Sequence, residues 1–239
     1  MLQLERQLAV RIARILDKTA TQAANAVRSG GRKAGLSAII KAQESALLKL
    51  FLPHYDKTLK LFGKRILDAF KSCDGYETKA EDVFAVGAAK WIRTEAAKTV
   101  KDIGDTTETR IRGAIAHAFE SGSGTATAMA DEILSRTGGA IAKNRALTIS
   151  RTETHKAASF GSQSAAESTG VEMKKVWVSA ESERTRETHS RADKTYHANP
   201  IDLDASFEVG GDSMTAPGLG SDPGENVNCR CVVAYRTKK

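Results

Sequence analysis

Residues 140–179 read AIAKNRALTISRTETHKAASFGSQSAAESTGVEMKKVWVS, and the fold class turns on this stretch. Ile141, Arg145, Ile149, Thr152 and Lys156 recur at helical spacing, which predicts one helix over about 140–168. At ~1.5 Å per residue it would be ~43 Å long, enough to act as a spine between two parts of the molecule. Gly170 stops it. Lys174–Ser179 then alternates and is rich in β-branched and aromatic residues, which predicts a strand.

Everything upstream has helical texture. Leu4, Leu8, Ile12, Ile15, Leu16, Ala23 and Val27 form one apolar stripe over residues 2–27, and Ser29-Gly30-Gly31 breaks it. A second helix, about 36–52, is expected to end at Pro53, and a third to run over about 54–71. A fourth covers about 79–103. Asp105-Thr106-Thr107-Glu108 reads as the cap of a fifth that runs to Phe119. Ala126–Arg136 is a short helix, separated from the spine by Gly138-Gly139.

Downstream, residues 181–194 read as a short polar helix, Phe207–Val209 as a strand, and 214–228 (MTAPGLGSDPGENVN) as a long surface loop. Cys229–Tyr235 reads as the final strand. The fold class is therefore α+β: a mostly helical N-terminal two-thirds and a small α+β C-terminal domain. In consecutive segments this gives a basic helical region 1–105, a helical part 106–170, and the α+β domain 171–239.

The 239 residues carry 36 Lys and Arg against 29 Asp and Glu, a net charge of +7. With 41% hydrophobic and 27% charged residues, the composition is globular and excludes wholesale disorder. No run of ~18 apolar residues exists, so no membrane partner is expected. The charged start, MLQLERQLAVRIARILDK, does not read as a secretory signal. Three cysteines cannot build a disulfide framework, and a reducing compartment is the simplest reading. The charge is uneven. Residues 1–80 hold 15 basic and 7 acidic side chains, 81–170 hold 11 of each, and 171–239 hold 10 and 11. A local excess of this kind suits a polyanion or an acidic partner surface, or simply a solvated helical face. With only 5% aromatics, any nucleic-acid contact would be with phosphates.

In an extended segment residues two apart share a face, so Cys229 and Cys231 can present both sulfurs to one site. With His189, and His197 as an optional fourth member, they make a candidate zinc site. The alternatives are two small cysteines packed in a core, with His189 hydrogen-bonded as a polar latch. Glu181 and Glu183 form an E-x-E after the first strand, an acid/base pair or a chance pairing in a charged chain. No P-loop, nucleophile elbow or dinucleotide fingerprint is present.

The ordered motifs are R-T-E-T on a helix, a strand with Trp, R-x-R-x-x-H, a Phe strand, a Pro/Gly loop and N-C-R-C. They are carried by Ala146, Ile149, Arg151, Thr152, Glu153, Trp177, Arg184, Arg186, His189, Phe207, Met214, Pro217, Asn228, Cys229, Arg230 and Cys231. Over roughly 110–235 this order resembles the minor head proteins of tailed bacteriophages, the phage Mu protein F-like or head morphogenesis family. Where that family tends to carry an Asp before R-x-R-x-x-H, this chain has Ser182.

The resemblance implies a non-enzymatic capsid component of the virion interior, present in the host cytoplasm during assembly. It implies association with portal and capsid or scaffold proteins and, in some members, contact with packaged double-stranded DNA. Relatives fused to a toxin exist; none is expected here, since the chain ends eight residues after Cys231. The basic N-terminal residues Arg6, Arg11, Arg14, Lys18, Arg28, Arg32 and Lys33 are the expected portal- or DNA-contacting set. Deleting residues 1–35 is expected to weaken that contact and leave the C-terminal domain folded. The alternative is an enzyme, a metal-dependent nuclease or an ADP-ribosyltransferase-like domain in the C-terminal part.

Overall fold

The computed structural model describes residues 1–31 and 34–237, so the expected contacts at Arg32 and Lys33 lie outside the described residues. Five helices come first: α1 (Leu2–Gly30), α2 (Ser37–Phe70), α3 (Ala80–Glu120), α4 (Ala126–Thr137) and α5 (Gly139–Ser168). Then follow β1 (Met173–Val178), α6 (Glu187–Ala198), β2 (Ile201–Asp202), β3 (Phe207–Val209), β4 (Asp212–Met214), α7 (Pro223–Asn226) and β5 (Val232–Thr237). The α+β class holds. Among the described residues no helix is long and apolar enough to cross a membrane.

The chain forms two compact units, each assembled from separated stretches. One is Leu2–His54 with Arg93–Ser150; the other is Met1, Tyr55–Ile92 and Arg151–Lys239. The sequence reading, by contrast, divides the chain into the consecutive segments 1–105, 106–170 and 171–239.

The first unit is helical. The stripe of α1 is buried as the periodicity requires, with Leu8, Ile12, Leu16, Ala23 and Val27 inside and Ile15 half-buried. The small residues Ala23, Ala24, Ala114, Ala118 and Ala130 share a core with Val27, Ile111 and Ile133. Asp17 accepts the backbone N–H of Gly139 at 2.8 Å and so fixes the start of α5. Gly139 itself has φ +53, a conformation that glycine adopts at little cost. Because α1 supplies core residues to this unit, deletion of 1–35 would remove part of its interior, not a detachable arm.

Two expected helix boundaries are overturned. Pro53 does not end a helix; it lies inside α2. An interior proline costs about 3 kcal/mol in a helix. Phe51, Tyr55 and Leu59 are fully buried on either side of it, and burying such side chains stabilises by about 1.5–3 kcal/mol each. Likewise α3 runs straight through Asp105. Thr106, Thr107 and Thr109 donate their hydroxyls to the carbonyls of Asp102, Ile103 and Asp105, four residues back, so none acts as a cap. The buried series Val100, Ile103, Thr107, Ile111, Ala114, Ala118 continues the stripe across the supposed break.

The second unit holds the sheet. β1 is central, antiparallel to β2 on one side and β5 on the other, with Trp177 opposite Val233. β3 and β4 form a hairpin whose turn, Gly210-Gly211, has φ of +63 and +86. Trp177, Phe207, Val209, Met214 and Ala192 make one core together with Cys229 and Cys231. A second cluster joins Ala166, Val171 and Met173 to Ile66, Phe70, Tyr76 and Tyr235. Lys175 on β1 is fully buried, and its ammonium donates to the Thr215 carbonyl at 2.7 Å. Burial pulls its pKa down to about 8.

Three C-terminal expectations are corrected. The polar helix begins at Glu187, because Ser182–Thr185 closes a turn of its own, with Thr185 N–H bonded to the Ser182 carbonyl. The last strand begins at Val232, so both cysteines precede it. The stretch 214–228 is not simply a surface loop: Ala216 is fully buried, and the segment contains α7, capped by Asp222 with Pro223 in the first turn.

Candidate functional site

The site is built where α6, α7 and the lead into β5 meet. α6 packs on β1, and this puts the His189 ring edge-on to Trp177, with ring centroids 5.2 Å apart. His189 is 2% exposed. Its Nδ1 lies 3.2 Å from Cys231 Sγ and 3.8 Å from Cys229 Sγ. Taken together, one ligand atom from each of the three residues lies within 4.8 Å of the others. Cys229 and Cys231 are buried with Arg230 exposed between them, the alternation expected of an extended segment although no strand has begun.

Sequence reasoning missed Glu225. Its Oε2 sits 2.8 Å from His189 Nε2 and also accepts the Thr188 hydroxyl at 2.9 Å. An ionised carboxylate only accepts, so Nε2 donates to Glu225 and Nδ1 is the ring nitrogen turned toward the sulfurs. The signal was present as Asp222-Pro223-Gly224-Glu225, a capping residue followed by proline at a helix start, with Glu225 one turn in.

The supporting loop is pinned by side-chain bonds. The Asn226 amide both accepts from the Gly220 N–H and donates to the Gly220 carbonyl, at 3.1 and 2.7 Å. Asp212 accepts the Asp222 N–H and the Ser221 hydroxyl, and these bonds hold its carboxyl below the usual range.

The remaining motif residues frame the cysteines. Asn228 adopts the left-handed conformation, φ +58, and its N–H donates to the Thr152 hydroxyl at 3.1 Å. Arg186 donates to the Val227 carbonyl at 2.6 Å. Glu153 accepts the Tyr55 hydroxyl and pairs with Lys156. Arg151 and Arg230 line a cavity of about 870 Å³ with Arg184, Arg186, Glu181 and Glu183, and His189, Cys229 and Cys231 also face it. Trp177 is a core residue of the sheet.

The Cys229 S–H donates to Cys231, which lowers the Cys231 pKa, with His189 contributing in the same direction. The same bond, together with burial, holds Cys229 in its protonated form.

His197 does not join the group. Eight residues beyond His189 on one helix, it lies ~12 Å along the axis and ~80° around it. Its ring pairs instead with Asp193 at 2.6 Å on the exposed face of α6. Arg6, Arg11, Arg14, Lys18 and Arg28 are all exposed on α1, and Arg28 is paired with Asp131 at 2.8 Å.

Residues 93–234 match the family model described as phage Mu protein F like protein. A curated relative, an NAD(+)–arginine ADP-ribosyltransferase of Enterococcus faecalis, is 33% identical over 90 residues. That match covers 36% of this chain and 18% of the relative, so the chain spans about a fifth of that protein's length. No solved structure matches the chain.

Proposed function

Because the chain belongs to the phage Mu protein F-like family, a family of phage head proteins, we propose that it is a minor head protein acting in head morphogenesis. In this reading it is not an enzyme. It associates with the portal protein and with capsid or scaffold components, resides in the virion interior, and passes through the host cytoplasm during assembly. The observation that carries the reading is the match over residues 93–234, well over half of the chain.

The contact surface is assigned to α1. Its spacing of three and four aligns Arg11, Arg14 and Lys18 on one exposed stripe, with Arg6 beside it. Exposed cations on a rigid helix suit an acidic protein surface or the phosphates of packaged double-stranded DNA, with no reading of base sequence. Co-sedimentation of the full chain with its own portal and procapsid is the test. Retention on either supports the proposal; a monomer that ignores both overturns it.

The second reading, an ADP-ribosyltransferase-like enzyme, takes its support from the printed name of the relative. Glu181 and Glu183 would be its carboxylates at the cavity mouth. Transfer from NAD⁺ that is lost in Glu183→Gln with folding intact would replace the structural reading.

A further inference from the structure

We propose that His189 Nδ1, Cys229 Sγ and Cys231 Sγ bind one zinc ion, with a water from the adjoining cavity as the fourth ligand. The inference stands on the geometry of this cluster and does not depend on the role in head assembly.

Zinc bonds of ~2.0–2.3 Å in a tetrahedron place ligand atoms about 3.3–3.8 Å apart. The imidazole nitrogen lies 3.2 and 3.8 Å from the two sulfurs. The whole set falls within 4.8 Å, so only small side-chain adjustments separate it from a coordination shell.

A histidine ligates through a bare nitrogen, and which nitrogen is bare is set by the partner of the other. Glu225 engages Nε2, and it is Nδ1 that faces both thiols. Glu225 is thus a positioning residue, doing for His189 what carboxylates do behind zinc-bound imidazoles elsewhere. A pair of cysteines that merely packed in the core would need no oriented imidazole between them.

Two thiolates and an imidazole suit zinc and disfavour magnesium or calcium, which take oxygen ligands. Binding expels the thiol protons to solvent, and the two thiolates balance the charge of the ion. All three ligands are buried but lie in the wall of the cavity, which puts the fourth position on the cavity side. The gain is structural. The metal would tie α6 to the irregular residues 229–231 that lead into β5.

Cobalt(II) serves as the spectroscopic probe and zinc as its competitor. The full chain, stripped with a chelator and kept reduced, should take up one cobalt with a thiolate-to-metal charge-transfer band. One equivalent of zinc should bleach that band. Zinc should also raise the melting temperature of the unaltered chain, a measurement that needs no variant to fold. The band should vanish in Cys231→Ser and persist in Cys73→Ser and His197→Ala. Glu225→Gln should weaken zinc binding roughly tenfold to a hundredfold. No band and no thermal shift at saturating metal would overturn the proposal, as would a band that survives Cys231→Ser.

Discussion

His155 on α5 is the clearest single-residue liability in the molecule. It is 2% exposed, and burial, with Arg230 and His189 adding positive charge nearby, pulls its pKa down to about 4. An unfolded histidine titrates near 6.5. Between pH 6.5 and 4 the unfolded chain therefore takes a proton that the folded chain refuses, and folding stability falls as pH falls. The loss is complete below the folded value, and a gap of about 2.5 units corresponds to roughly 3 kcal/mol. His155→Leu removes this term and leaves the other titrating groups in place. Urea unfolding of both proteins from pH 7.5 to 4 should show the variant gaining on the parent by about that amount; parallel curves would sink the assignment. Nothing in the sequence pointed to His155, because burial of a lone histidine on a helix depends on what packs over it. His189 was different: the short spacing of the two cysteines and the polar helix that carries it left few other groups for them to meet. Glu225 stayed hidden for the opposite reason, since a glutamate in a Gly/Pro-rich stretch looks like any solvated charge until the loop is folded.

At the scale of elements, the β3–β4 hairpin does more than reverse the chain. A Cβ placed on Gly210 would meet Glu225 Oε1 at 2.2 Å, whereas one on Gly211 would meet nothing within 4 Å. Both glycines have positive φ, so alanine at either position costs about 1–2 kcal/mol of backbone strain. Gly210→Ala should cost about 1–3 kcal/mol more, because it pushes Glu225 off a buried histidine. Denaturant midpoints for the two variants give the comparison, and equal losses would mean that Glu225 is idle. The same scale shows what in the fold could be read in advance. The stripe of α1 followed from its apolar periodicity, and the long α5 from helical spacing with no proline between Gly139 and Gly170, although its buried face mixes Ala142, Ala146 and Ala157 with Ser150, Glu153 and His155. Pro53 and Asp105–Glu108 misled because a local stop or cap signal competed with an apolar stripe continuing on both sides of it. Packing decides such contests, and packing is set by distant chain. The start of β5 was misplaced for a related reason: residues 229 and 231 share a face whether or not a partner strand is paired to them.

The whole molecule turns on how its charge is distributed over its two units. The helical unit holds 17 Lys and Arg against 10 Asp and Glu and the other unit 19 of each, so the formal charge of +7 belongs to the helical unit, whose α1 both fills its core and displays the basic stripe. Docking and folding therefore share one helix, and truncation cannot separate them, because Ala23, Ala24 and Val27 leave the core with it. Charge reversal can. Arg11→Glu, Arg14→Glu and Lys18→Glu combined change only exposed positions, and surface substitutions of this kind usually stay within about 0.5 kcal/mol each. If α1 meets phosphates, double-stranded DNA binding by the full chain should weaken with salt. Each neutralised phosphate contributes about −0.9 to the slope of log affinity against log salt. Three or four contacts give a slope of roughly −3 to −4, and the triple variant should lose most of it while its melting temperature holds. A portal surface gives a different pattern: binding to portal falls in the variant, and the parent shows no length-dependent affinity for DNA. A parent that binds DNA with a flat salt response, or a variant that binds DNA and portal like the parent, would take the contact away from α1 altogether.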